Sequence, residues 1–111
     1  MNLDLLKELT EAHGTSGAEG EVRAIVRREL AAYSPTTDAM GSVHAVIPGR
    51  GGLKVMLAAH TDEIGFIVKH VDDKGFLRVN PIGGWDPRVL ASQRVVVRTA
   101  NGLLKGLMMP G

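Results

Sequence analysis

Cysteine is absent from all 111 residues, which rules out a disulfide framework and any thiolate metal site and leaves histidines and carboxylates as candidate ligands. An excess of either charge is also missing. Thirteen Lys and Arg oppose twelve Asp and Glu, for a formal charge of +1, so no strong field draws the chain toward phosphate backbones or anionic lipid, and no nucleic acid and no membrane is expected as a partner. The apolar runs are far too short to span a bilayer, and the opening Met1-Asn2-Leu3-Asp4 has no basic region ahead of an apolar stretch. Together with the missing cysteine, this leads to the expectation of a soluble, cytoplasmic protein. Internal repeats and low-complexity linkers are absent as well. What is present is 44% hydrophobic residues, enough for one modest core with much surface left exposed.

Leu3, Leu5, Leu6 and Leu9 share one side of a helical wheel, so residues 2–12 read as a short amphipathic helix ended by Gly14. Ser16 to Glu19 has the S-x-x-E form of a capping box and predicts a second helix. In it, Val22, Ile25, Val26, Leu30 and Tyr33 make a buried stripe, Arg23, Arg27 and Arg28 form a solvated face, and Ser34-Pro35 is the stop. The period then changes to two around Val43 to Ile47, a strand followed by a glycine-rich turn. Leu53 to Ala59 is apolar apart from Lys54 and reads as an interior strand covered on both faces. Ile64 to Val71 and Phe76 to Asn80 flank an Asp72-Asp73-Lys74-Gly75 hairpin turn. A Gly- and Pro-rich loop over residues 81–87 precedes strands at Gln93 to Thr99 and Leu103 to Met109, joined at Asn101-Gly102. The change to successive hairpins near residue 70 is the candidate boundary. The apolar ending Met108-Met109-Pro110-Gly111 reads as an interruption.

The chemistry concentrates at His60-Thr61-Asp62-Glu63. A histidine at the carboxyl end of a buried strand faces the crevice where open α/β sheets bind ligands. In extended backbone, residues two apart point to the same side, so Asp62 is placed either to accept a hydrogen bond from the His60 ring or to bind a metal itself. Standing alone, His-x-Asp is a short and common pattern, equally at home as an ordinary polar strand end.

The wider context is more specific. Gly14-Thr15-Ser16-Gly17-Ala18-Glu19, Asp38-Ala39-Met40-Gly41, the long stretch from Val55 through His60-Thr61-Asp62-Glu63-Ile64-Gly65-Phe66, and Pro81-Ile82-Gly83-Gly84-Trp85-Asp86-Pro87 occur in order along the chain. The sequence thereby resembles the M42 metallo-aminopeptidases, some of whose relatives carry an endoglucanase label. Ser42 stands where an asparagine is frequent in that family. The resemblance implies an α/β fold: the amino-terminal part of a metallopeptidase α/β sandwich over residues 1–70, followed at 71–111 by the start of an inserted β-barrel domain. It implies that His60 binds metal, that Asp62 orients His60, and that a complete site holds two divalent ions, zinc or cobalt. It also implies a peptide substrate and a homo-oligomer.

One histidine does not retain zinc tightly, so the resemblance places the general base and the remaining ligands in sequence absent from this chain, which is expected to be inactive alone. His13, His44 and His70 read as structural or solvated. Glu63 points away from His60 and Asp62 in an extended strand. Asp72 and Asp73 suit a turn, and Trp85 suits packing or assembly. The competing reading is a non-catalytic interaction or assembly module derived from the same fold, using unpaired strand edges. A carbohydrate-active enzyme would need paired acid and nucleophile carboxylates, which are not identifiable. The chain by itself is expected to aggregate or to be only partly ordered.

Overall fold

In the computed structural model, which describes residues 2–109, Asn2 caps the first helix by accepting from the Leu5 amide at 3.2 Å. This helix, α1 (Leu3–Glu11), stops before Gly14, with Ala12 already extended. Gly14 serves a different purpose from the helix stop expected of it. It is buried, and a Cβ there would lie 2.8 Å from Val22 Cγ2 and 3.3 Å from the Thr61 carbonyl oxygen, so only glycine allows the chain to pass this close.

The second helix, α2 (Gly20–Glu29), forms without the expected capping box: Glu19 is its N-cap and makes no side-chain capping bond. The Ser16 hydroxyl donates instead to Asp62 Oδ2, and Glu19 Oε1 accepts from the Gly17 amide at 2.7 Å. In a capping box the Ser16 oxygen would accept from a backbone amide; here its O–H donates to an ionised carboxylate, a charge-assisted bond stronger than the neutral cap it replaces. Val22 and Ile25, 6% and 8% exposed, are the buried hydrophobic side chains among the described residues. Val26 and Leu30 are half-buried and Tyr33 is exposed. The arginine face is solvated as expected, yet its members are paired. Arg23 meets Glu19 at 3.6 Å, Arg27 donates to Thr37 Oγ1 at 2.7 Å, and Arg28 reaches both carboxylate oxygens of Glu8 on α1 at 2.7 and 2.6 Å. Ser34 then adopts a left-handed conformation and ends the helical region.

Two-residue strands β1 (Thr36–Thr37) and β2 (Val43–His44) pair antiparallel around the Asp38 turn. The strand expected to reach Ile47 stops after His44. The interior strand expected at Leu53 to Ala59 makes no ladder among the described residues, and its apolar side chains are open to solvent, Leu57 by 95%. Extended backbone becomes a sheet strand only through a partner for its amides and carbonyls, and neither partner nor cover lies in residues 2–109.

The remaining strands form two hairpins. β3 (Gly65–Val71) pairs with β4 (Leu77–Ile82), and β5 (Arg94–Thr99) with β6 (Gly102–Leu107). Gly75 and Gly102 supply the positive φ angles of the turns. Pro81 and Ile82, expected in a loop, continue β4, with Pro81 opposite Phe66. A residue lacking an N–H is tolerated in a two-stranded sheet, where every strand is an edge. Helices and strands thus mix as expected, but the described sheets are three separate antiparallel pairs, with one isolated parallel bridge between Thr15 and Glu63 outside them. The envelope is 62 × 30 × 29 Å with a radius of gyration of 18.0 Å, against about 13 Å for a compact domain of this length. Of the apolar ending expected to be an interruption, Pro110 and Gly111 lie outside the described residues, as does Met1.

Candidate functional site

His60 follows the unpaired apolar segment, and its side chain is 86% exposed. Its Nδ1 lies 3.0 Å from Asp62 Oδ1 and 3.0 Å from the Asp62 carbonyl oxygen. Both neighbours are acceptors, so this network assigns the ring proton to Nδ1 and leaves the Nε2 lone pair unengaged. That is the arrangement in which a carboxylate fixes the tautomer and direction of an imidazole whose other nitrogen meets a ligand.

Asp62 is held on both oxygens, since Oδ2 accepts from Ser16 while Oδ1 faces His60. The Ser16 hydroxyl first, and the His60 ring second, hold its carboxyl below the usual aspartate range. Ser16 is the site residue that sequence reading missed. The S-x-x-E pattern offered a local explanation for it, and a contact across 46 positions leaves no periodic trace.

Glu63 engages the backbone of Gly14 rather than His60 or Asp62. Its amide donates to the Gly14 carbonyl at 2.8 Å, and its Oε1 accepts from the Gly14 amide at 3.1 Å. This reciprocal pair fastens residues 14–16 beside 60–63. Ser16, His60, Asp62 and Glu63, with Ile64, Ile82 and Gly83, border a shallow cavity of about 130 Å³. Gly83 has φ +85°, and a Cβ there would overlap the Ile64 side chain, so glycine at this position lets the loop close against the cavity wall.

The other candidates lie elsewhere. His13 contributes its backbone amide to Glu21 Oε2 at 3.0 Å, His44 Nε2 meets Asp38 Oδ2 at 3.0 Å, and His70 sits in β3 opposite Arg78. Asp72 accepts from the Lys74 and Phe76 amides at 3.0 and 2.9 Å and so organises the hairpin turn. Trp85 donates to the Gly65 carbonyl at 3.0 Å and stacks on Phe66 with ring centroids 4.8 Å apart. Its role in these residues is packing. Among the described residues no group of three or more His, Cys, Asp or Glu side chains is placed to hold a metal ion. The donor set therefore fits one corner of a metal site, the free Nε2 of His60, and not a whole one.

Comparison with known proteins gives the arrangement a context. The chain is 37% identical to the glutamyl aminopeptidase of Lactococcus lactis over 89% of its own length and 29% of the relative's. It is 39% identical to the lysyl aminopeptidase of Pyrococcus furiosus over 95% of its length and 31% of that protein's. Among solved structures, a TET aminopeptidase from a marine sediment archaeon of the Thaumarchaeota superposes with a TM-score of 0.88 at 42% identity, covering 95% of this chain and 30% of that one. The Pyrococcus horikoshii TET1 peptidase, which can assemble into a tetrahedron or a large octahedral shell, superposes at 0.85 with 33% identity, over 98% of this chain and 33% of its own. The chain thus spans about a third of the length of these relatives. A sequence pattern described as AMPT matches residues 1–25. The pattern of the M42 glutamyl aminopeptidases matches residues 41–110, and the chain belongs to that family.

Proposed function

We propose that these residues are the amino-terminal part of a metal-dependent aminopeptidase that removes amino-terminal residues from peptides. In this reading His60 ligates one of two divalent ions, zinc or cobalt, through Nε2, and Asp62 orients the ring. The observation that carries it is the hydrogen-bonded Nδ1 of His60 beside a free Nε2 at the rim of a cavity. When bound, such an ion pair polarises the scissile carbonyl and activates a water. The chain's own part is to aim one ligand and hold its proton on Nδ1. The general base and the other ligands come from residues outside these 111. Residues 1–70 belong to the catalytic layer, and 71–111 begin the inserted barrel. The differing names of the relatives, glutamyl and lysyl, leave the preferred residue to the missing part of the pocket. Assembly into a homo-oligomer follows by analogy with the TET1 peptidase.

The test is the mass and metal content of the native protein that carries this sequence. A mass well above 11.8 kDa, with bound divalent ions that are depleted by His60→Ala, is the expected result. A native product of 11.8 kDa without metal or peptidase activity sinks the reading. It would favour the second one, a non-catalytic assembly module, for which the uncovered apolar segment at residues 53–57 speaks.

A further inference from the structure

Hydrogen bonding to His60 alone leaves the Asp62 carboxylate with a soft degree of freedom. The terminal torsion of an aspartate is broad and roughly two-fold, so one partner on one oxygen does not fix the plane of the group. A second bond to the other oxygen does. Ser16 supplies it, and Ser16 is itself held by backbone contacts that do not involve its side chain. The Gly14 and Glu63 amides bond across the two segments at 3.1 and 2.8 Å, and Thr15 bridges Glu63 in parallel. The loop expected to cap a helix is therefore a strap, stapled on one side to residues 60–63 and presenting one hydroxyl to the site.

We propose that Ser16 is a positioning residue for the metal centre: its hydroxyl locks the Asp62 carboxylate plane, so that Asp62 Oδ1 aims the His60 ring and its free Nε2. This rests on the reading of His60 as a ligand. In this reading Ser16 is not itself a ligand and acts through Asp62. Removing it leaves the strap in place, because the Gly14–Glu63 pair is independent of the side chain at position 16, but frees the carboxylate to rotate and leaves the ring held by the Asp62 carbonyl oxygen alone.

The readout is zinc affinity of the intact native protein, measured by competition with a chromophoric chelator. Removal of an outer partner of a metal ligand typically weakens binding about 10- to 100-fold, the loss expected for Asp62→Ala. Ser16→Ala, one step further out, is expected to weaken it about threefold to tenfold on the same scale. Ser16→Thr, which keeps the donor, restores wild-type affinity, whereas Ser16→Val, of nearly the same shape as Thr but without the donor, behaves like Ser16→Ala. This matched pair decides the matter even where alanine disturbs the loop. In an Asp62→Ala background Ser16→Ala has no further effect, the non-additivity expected of residues acting in series. Wild-type affinity in Ser16→Val, or an undiminished loss in the Asp62→Ala background, overturns the inference. Unchanged zinc binding in His60→Ala marks a different failure, that of the ligand assignment itself.

Discussion

Single side chains here choose between local and distant partners, and the choice follows acceptor strength and charge. Ser16 abandons a cap for Asp62, while Asp38 does the reverse and organises its own turn. Its Oδ1 accepts from the Met40 and Ser42 amides at 2.9 Å each, and Oδ2 meets His44. The His44 ring first, and these amides with it, hold the Asp38 carboxyl below the usual range. A carboxyl lowered by folding contributes stability that is fully present above the unfolded value, about 3.9, and is lost as pH falls through the lower folded value. Asp38→Asn keeps the acceptor but removes the charge. It is expected to unfold at lower denaturant concentration than wild type near neutral pH, with the gap closing under acid. Urea titrations of the intact native protein and its Asp38→Asn variant across that range check this, and a gap that stays constant refutes it.

Hairpins carry most of the order at the scale of elements, and the loop after β4 is tied to β3 by one residue. Trp85 lies in a loop that turns back so that its ring stacks on Phe66 and its indole N–H reaches the Gly65 carbonyl. Trp85→Phe retains an aromatic stack but loses the indole hydrogen bond, an expected loss of about 1 kcal/mol. Trp85→Ala forfeits the ring as well and should cost about 2–3 kcal/mol, short of the full core value because the site is half-buried. Thermal unfolding of the intact native protein, followed by circular dichroism, gives the order wild type, Phe, Ala. Equal melting temperatures for wild type and the Phe variant would remove the hydrogen bond from the account.

For the whole molecule, burial is the deciding quantity. The burial of two hydrophobic side chains among the described residues, in a chain with a radius of gyration of 18.0 Å, does not offset the chain entropy of about a hundred ordered residues. The Leu53 to Leu57 run offers unpaired backbone and apolar side chains together, a combination that recruits other chains. The 111 residues expressed alone are therefore expected to bind a hydrophobic dye and to sediment as concentration-dependent oligomers. A dye-silent monomer with one cooperative unfolding transition would contradict this.

Sequence by itself determined the two helices, the hairpin turns at Asp72–Gly75 and Asn101–Gly102, the placement of Asp62 on the same side as His60, and the family, because each is written in local periodicity, turn chemistry or contiguous motif. Burial of the apolar run at 53–59 was not legible, since hydrophobicity signals a need for cover without saying where the cover lies. Tertiary structure alone decided that Gly14 is a close-packing point, that Pro81 continues a strand, and that Ser16 serves Asp62. These are contacts between residues 8 to 47 positions apart. A local pattern cannot announce them, because the partner that outcompetes the nearby group arrives only when the chain has folded back upon itself.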